Sequence, residues 1–203
     1  MTYIWINPVT ANLYESDALN EYLVRHGYER FDTFGDWMGE VKEKYLRAVA
    51  KSTHPVIDVR CPKIRELLEE MEDTSNITVP QIDPILIHCA REGSERGEMQ
   101  GKEKVITTPC KALADMGNAL KFPDTCFVPW NQFVNMLGEE PARRQLKESP
   151  IPPGFFEELG VKTASVTGKE EIRNYLKNEI TRDVQLVEML FCEDGCHHGD
   201  GIR

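Results

Sequence analysis

Hydrophobic and polar residues follow two periods along the chain, which predict strands and helices in turn. Apolar residues recur four positions apart at Trp37, Val41, Tyr45 and Val49, which is one face of a helix. Short runs of apolar residues, such as 184–191 (VQLVEMLF), are typical of strands, and 55–60 (PVIDVR) is rich in β-branched residues. The same patterns predict further strands at 3–7, 55–60, 104–108, 126–128 and 161–166, and helices at 16–26, 36–50, 62–71, 111–120, 130–137 and 168–178. This alternation predicts an α/β fold with mostly parallel sheets flanked by helices.

A proline-rich stretch divides the chain. Residues 148–154 (ESPIPPG) hold three prolines and are not expected to form regular structure. We therefore place a boundary there, between an N-terminal lobe of residues 1–148 and a C-terminal segment of residues 149–203. Beyond it, Thr167 and Glu170 have the spacing of a capping box for the helix that follows. The expected architecture is two small lobes.

Composition and charge exclude several classes of partner. The chain has 203 residues, 40% of them hydrophobic, and a formal net charge of -10, so a phosphate-binding surface would have little positive charge. Nucleic acid is therefore not an expected partner. No stretch approaches the about 18 to 20 apolar residues of a membrane helix, and no signal peptide is recognisable. We therefore expect a cytoplasmic protein without a membrane partner.

The chemically informative residues are six cysteines. Cytosolic thiols stay reduced, so grouped cysteines indicate metal ligands or reactive thiols before they indicate disulfides. Four of them follow predicted strands, at the edge where open α/β sheets bind ligands, namely Cys61, Cys110, Cys192 and Cys196. Such a set fits a 4Fe-4S cluster or a tetrahedral zinc ion, and ordinary buried thiols are the alternative.

Local context separates the ligand candidates from the other cysteines. Pro62 suits the first position of a helix, which leaves Cys61 at a helix N-terminus that favours a thiolate. Cys89 falls within a predicted helix and Cys126 within a predicted strand. We expect these two to be packed thiols rather than ligands.

Two histidines directly follow the last cysteine. His197 and His198 are expected to be exposed or to lie next to a bound cluster, where an imidazole N–H could tune its potential. The alternative is a zinc site formed by both histidines with Cys192 and Cys196.

The C-terminal segment, VEMLFCEDGCHHGDGI, resembles the cluster motif of a known family, the C-terminal domain of iron-only (FeFe) hydrogenase large subunits. In that family a strand ends in a Cys-x-x-x-Cys motif and a glycine-rich tail. Four more segments are similar to family segments and occur in the same order, at 22–49, 55–70, 105–114 and 166–180. The resemblance spans roughly residues 20–201 and identifies the chain as a shortened, divergent member.

The resemblance implies a metal site between two α/β lobes. Its ligands would be Cys61, Cys110, Cys192 and Cys196, which together would hold one 4Fe-4S cluster. In catalytic members the thiolate that matches Cys196 also bridges to a diiron subsite bearing carbon monoxide and cyanide. The implied cofactors are therefore a 4Fe-4S cluster and, if the catalytic site is kept, a diiron subsite.

The chain departs from the family at residues that serve hydrogen chemistry. Arg60 stands in place of a proton-relay cysteine, and Thr108 in place of a methionine. Leu113 replaces a lysine that holds a cyanide ligand, and Asp194 replaces a glycine. We therefore expect an iron-sulfur protein for electron transfer or redox sensing, without hydrogen turnover.

Two alternative functions stay open. One is a compact hydrogenase that carries the diiron site and interconverts protons and hydrogen, and the other is a non-redox zinc-binding protein. The chain has no ferredoxin-like run of closely spaced cysteines, so electrons are expected to come from a redox partner protein such as a ferredoxin. An acidic surface could pair with a basic patch on that partner.

Overall fold

The chain folds into two compact units, each assembled from separate stretches. The computed structural model describes residues 1–146, 148–181 and 183–202. Unit 1 contains Met1–Gly35, Leu86–Ile151 and Cys196–Arg203, and unit 2 contains Asp36–Ile85 and Pro152–Gly195. The chain leaves unit 1 at Ile151, within the proline-rich stretch. Residues 36–85, which precede the boundary set from the sequence, belong to unit 2.

The described residues form strands interspersed with helices. The strands are β1 Thr2–Trp5, β2 Tyr28–Arg30, β3 Val56–Ile57, β4 Lys104–Thr108, β5 Thr125–Pro129, β6 Thr163–Thr167 and β7 Leu186–Leu190. The α-helices are α1 Pro8–Asn12, α2 Ser16–Arg25, α3 Trp37–Lys51, α4 Pro62–Glu69, α5 Ile85–Glu95, α6 Lys111–Ala119, α7 Trp130–Leu137 and α8 Lys169–Asn178. Within the described ranges, none of these helices has the length and apolar character needed to cross a membrane.

Unit 1 is built on a four-stranded parallel sheet in the order β2-β1-β4-β5. Val105 in β4 pairs with Ile4 on one side and with Cys126 on the other. Helices α1, α2 and α7 pack apolar residues around Trp130 and Phe133, which are both fully buried. The carboxyl ends of β1, β4 and β5 each lead into a helix, as expected for parallel strands.

Unit 2 is built on a three-stranded parallel sheet in the order β3-β7-β6. All five residues of the central strand β7 are buried, and its side chains point alternately to the two faces of the sheet. Val187 and Met189 pack with α4 and α8, whereas Leu186 packs with Val41 and Tyr45 of α3. The predicted α/β fold with mostly parallel sheets is therefore confirmed.

Strand β3 is much shorter than the predicted strand at 55–60. Its ladder ends at Ile57, because beyond Asp58 the backbone N–H groups bond to side chains instead of to β7. The Val59 N–H donates to the Tyr45 hydroxyl at 2.9 Å, and the Arg60 N–H donates to Asp58 Oδ1 at 3.0 Å. Side-chain hydrogen bonds thus replace the strand in the approach to Cys61.

The predicted capping box at Thr167 is wrong. Thr167 is the last residue of β6, where it pairs with Leu190, and its hydroxyl accepts from the Asp194 N–H at 3.4 Å. Gly168 precedes α8 with a φ of +88° and no side-chain cap. Thr167 therefore pairs within the sheet as part of β6 and does not cap α8.

Gly117 in α6 is required by close packing against β5. A Cβ at Gly117 would lie 2.3 Å from Cδ1 of the buried Phe127 ring. We expect Gly117→Ala to lower the free energy of unfolding by about 1–3 kcal/mol, as for other overpacked cores. Urea unfolding measures this. Gly97→Ala is the control, because a Cβ there meets nothing within 4 Å, and an equal loss in both variants would contradict the prediction.

Candidate metal centre

Unit 2 brings Cys61 and Cys192 to one edge of its sheet. Cys61 is the N-cap of α4, and Cys192 lies two residues beyond the end of β7. Because β3 and β7 are parallel neighbours, both cysteines follow the carboxyl ends of adjacent strands. The backbone N–H groups of Phe191, Lys63 and Ile64 face the Cys61 sulfur. Two thiols and a set of N–H donors therefore share this edge.

The surroundings of the Cys61 thiol raise its pKa. Burial raises its pKa above the ordinary value, the three N–H groups act in the opposite direction, and the neighbouring Cys192 raises the pKa further. The sequence predicted that the helix N-terminus would favour a thiolate. The N–H groups at the start of α4 do lower the pKa of Cys61, as predicted, but burial outweighs them, so the net shift of the pKa is upward. A bound metal ion would supply the missing positive charge.

Arg60, the residue directly before Cys61, belongs to a buried ion-pair network with Asp58 and Glu188. The Arg60 guanidinium donates to Asp58 from Nε at 2.9 Å and from Nη2 at 2.7 Å, and to Glu188 from Nη2 at 3.0 Å. Tyr45 donates to Asp58, and Ser165 donates to Glu188. Both carboxylates are buried, with exposed fractions of 0% for Asp58 and 2% for Glu188. The network therefore satisfies charged groups that would be costly to bury alone.

The network also binds the segment at Gly154 and Phe155, near the point where the chain enters unit 2, to the central strand of the sheet. The N–H groups of Gly154 and Phe155 donate to the Glu188 carboxylate. The Arg60 guanidinium carbon lies 3.8 Å from the Phe155 ring centroid and 4.7 Å from that of Phe156. Asp58 contributes most to raising the pKa of Arg60 further above its ordinary value, against the effect of burial. Arg60 is consequently a fixed cation that does not exchange protons.

Sequence reasoning missed this network, although the sequence carried a signal for it. Asp58 and Glu188 are single acidic residues within runs predicted to be buried strands, PVIDVR and VQLVEMLF. A charged residue in such a run must be paired or must disrupt the strand. That reasoning would have pointed to a buried cation, and Arg60 lies two residues after Asp58.

Unit 1 brings Cys110 and the Cys196 segment together. Cys110 is the N-cap of α6, after β4, and Cys196 begins a 3-10 turn at Cys196–His198. A Cβ at Gly199 would lie 2.2 Å from the Pro109 carbonyl oxygen, and one at Gly201 would lie 2.9 Å from the Cys110 nitrogen. These two glycines are therefore required, because the C-terminal tail, residues 196–202, packs directly on the Pro109–Cys110 backbone.

Hydrogen bonds fix the same tail across the carboxyl ends of β4 and β5. The Lys111 N–H donates to Asp200 Oδ1 at 2.9 Å, and the Gly201 N–H donates to Pro109 at 3.1 Å. The Asn131 N–H donates to the Gly201 carbonyl at 2.8 Å. Oxygen atoms of the tail therefore accept hydrogen bonds from N–H groups at the N-termini of α6 and α7. These bonds hold the tail, which begins at Cys196, in place.

The residues that depart from the hydrogenase pattern have ordinary structural partners. The Thr108 hydroxyl donates to the Cys110 carbonyl at 2.8 Å, and Leu113 is buried in α6. Asp194 has a φ of +56°, a left-handed conformation in which glycine is favoured and Asp is tolerated. The backbone at Asp194 therefore has a conformation that a glycine would also adopt.

Cys89 and Cys126 lie elsewhere in unit 1, whereas His197 and His198 share the 3-10 turn that begins at Cys196. Cys89 is buried in α5, where burial raises its pKa to about 11. Cys126 is in β5 as predicted, but it is exposed rather than packed because β5 is an edge strand. His197 and His198 are half-buried, with ring centroids 3.8 Å apart.

Each unit thus supplies two of the four predicted ligands. All six cysteines are among the described residues, and none forms a disulfide. Within residues 1–146, 148–181 and 183–202, no three Cys, His, Asp or Glu side chains are grouped as a metal site. The donor set still fits a 4Fe-4S cluster by its chemistry, because four thiols are available and backbone N–H groups face one of the sulfurs.

We expect Arg60→Met to destabilise the protein strongly, because it removes the cation that both buried carboxylates contact. The predicted loss is about 3–5 kcal/mol in urea unfolding, the usual cost of breaking a buried ion pair. Arg173→Met is the control, since Arg173 pairs with Glu70 and Glu170 on the surface and should lose no more than about 1 kcal/mol. Equal losses would contradict a role for the network.

We expect Gly199→Ala to displace the tail from Pro109. The variant should lose about 1–3 kcal/mol of unfolding free energy and alkylate faster at Cys196, as measured by mass spectrometry with a small thiol reagent. Asp200→Asn is the matched control, because the amide keeps an oxygen that accepts from the Lys111 N–H. Unchanged alkylation in Gly199→Ala would show that the tail does not control access to Cys196.

Comparison with known proteins gives no family for the chain. No protein-family model and no curated protein matches it.

Proposed function

We propose that the chain binds one 4Fe-4S cluster through Cys61, Cys110, Cys192 and Cys196, and that it functions in electron transfer or redox sensing. The observation that carries the proposal is the Cys61–Cys192 pair in unit 2, with backbone N–H groups facing the Cys61 sulfur. N–H donors to sulfur are a principal means by which proteins stabilise iron-sulfur clusters and set their potentials. Unit 1 would supply the other two thiolates.

The residues of the chain have separate tasks in this function. Cys61 and Cys192 bind through sulfur, and the N–H groups of Phe191, Lys63 and Ile64 stabilise the negative charge on Cys61. The 4Fe-4S cluster, when bound, supplies one-electron transfer. The tail of unit 1 keeps Cys196 in a fixed segment by packing its glycines on Pro109.

Hydrogen turnover is not part of the proposal. Arg60 holds a permanent charge between Asp58 and Glu188 and offers no exchangeable proton relay. Leu113 is an apolar, buried side chain where catalytic members have a lysine for cyanide. These substitutions favour a cluster that carries electrons without a catalytic diiron site.

We further propose a cytoplasmic protein with a ferredoxin-like redox partner. Reduced thiols persist in the cytosol, which suits cysteine ligands. The net charge of -10 would attract a basic patch on the partner, chiefly through the rate of association.

Anaerobic reconstitution with iron and sulfide tests the proposed function. We expect about four irons per chain, as one 4Fe-4S cluster requires, and a brown chromophore that dithionite reduces. Cys192→Ala and Cys110→Ala should each lose most of the iron and the chromophore, since each removes a ligand. Cys126→Ala is the matched control and should bind iron as the parent does, because Cys126 belongs to neither pair.

The outcomes separate this function from its alternatives. One zinc per chain without iron or visible absorbance would replace the proposal by a structural zinc protein. Infrared bands of bound carbon monoxide and cyanide after maturation, with hydrogen evolution, would indicate a hydrogenase. Ligand variants that bind iron as well as the parent would contradict the proposed ligand set.

A further inference from the structure

Backbone geometry in unit 2 suits a covalent bond between Cys61 and Cys192. β3 and β7 pair with Ile57 opposite Val187, and the Asp58 N–H extends the pairing to the Val187 carbonyl at 2.8 Å. Neighbouring strands lie about 4.8 Å apart. The Cα atoms of a disulfide lie about 4.4–6.8 Å apart, a range that includes this strand spacing. Cys61 follows the end of β3 by four residues, and Cys192 follows the end of β7 by two.

The groups around the Cys61 sulfur also indicate that Cys192 lies close to it. The N–H of Phe191, the residue before Cys192, faces the Cys61 sulfur, and Cys192 lies near enough to act electrostatically on Cys61. Both residues are half-buried. Cys89 and Cys126 belong to unit 1 and do not share this sheet edge.

We propose that Cys61 and Cys192 form an intramolecular disulfide when the metal-free chain meets a hydroperoxide, and that this disulfide blocks cluster assembly. The disulfide requires only the arrangement of residues within unit 2. The block of cluster assembly rests in addition on the proposed function. The pair would then make iron loading depend on the oxidant level of the surroundings.

The reaction balances without any further reagent. The hydroperoxide O–O bond breaks as one thiol becomes a sulfenic acid, and one molecule of water or alcohol leaves. The second sulfur then forms the S–S bond and displaces the hydroxyl as water. The two thiols together lose two protons and two electrons, and the two electrons reduce the peroxide. A dithiol reductant reverses the change by thiol exchange.

Mass spectrometry tests the disulfide. The metal-free chain is treated with hydrogen peroxide, alkylated, and digested with trypsin. Cys192 and Cys196 lie on the same tryptic peptide, so the experiment uses a Cys196→Ser background. We expect the Cys61 and Cys192 peptides to be linked, with a loss of about 2 Da for the two hydrogens removed. Dithiothreitol should restore both alkylation sites.

Matched variants define the outcome. Cys126→Ser, in the same background, should form the linkage as the parent does, whereas Cys61→Ser should leave Cys192 without this cross-link. Cys61 and Cys192 that both stay alkylatable after peroxide would overturn the proposal. A linkage of Cys192 to any other cysteine would overturn it equally.

Iron loading tests the second half of the proposal in the chain with all six cysteines. After peroxide treatment and removal of the oxidant, reconstitution without a thiol reductant should give less than half of the iron bound by the reduced chain. Prior dithiothreitol should restore it. Equal loading of oxidised and reduced chains would overturn the block. If even the reduced chain binds no iron, the proposed function fails, while the disulfide is judged by mass spectrometry alone.

Discussion

The geometry at Cys61 depends on one buried cation held between two buried carboxylates. β3 contributes only two ladder residues, so the backbone from Asp58 to Cys61 is not secured by the sheet. Arg60 bridges Asp58 to Glu188 of the central strand, and both carboxylates receive further donors. Any change that leaves one of these charges unpaired would disturb the turn that presents Cys61, because unpaired buried charge is expensive.

Unit 1 positions its cysteines by a different physical means. The tail from Cys196 packs on Pro109 through two glycines, where even a Cβ would collide with the backbone. The Lys111 N–H donates to the Asp200 carboxylate and the Asn131 N–H donates to the Gly201 carbonyl, which completes the arrangement. Close packing of two backbone segments thus positions the cysteines of unit 1, whereas buried ion pairs position Cys61 in unit 2. The two mechanisms explain why the glycines and the acidic residues sit where they do in the sequence.

Much of the fold was predictable because local patterns determine single elements. The apolar run before Cys192 and the Cys61-Pro62 pair predicted a strand end and a helix start correctly. The sequence could not show that β3 pairs with β7 across 130 residues of chain, Val56 with Leu186, nor that residues 36–85 belong to unit 2. Thr167 illustrates the same limit, since its pairing with Leu190 overrides a local capping pattern. The raised pKa of Cys61 likewise depends on burial, which local sequence does not specify.

Mössbauer spectroscopy of the iron-loaded chain addresses the nature of the bound metal itself. The proposed function requires the iron to occur as a single 4Fe-4S cluster whose irons all have tetrahedral sulfur coordination. Spectra of that kind, altered when Cys61 is replaced by serine, would support cluster binding by this cysteine set. Spectra dominated by mononuclear iron, or spectra that do not change in Cys61→Ser, would contradict it.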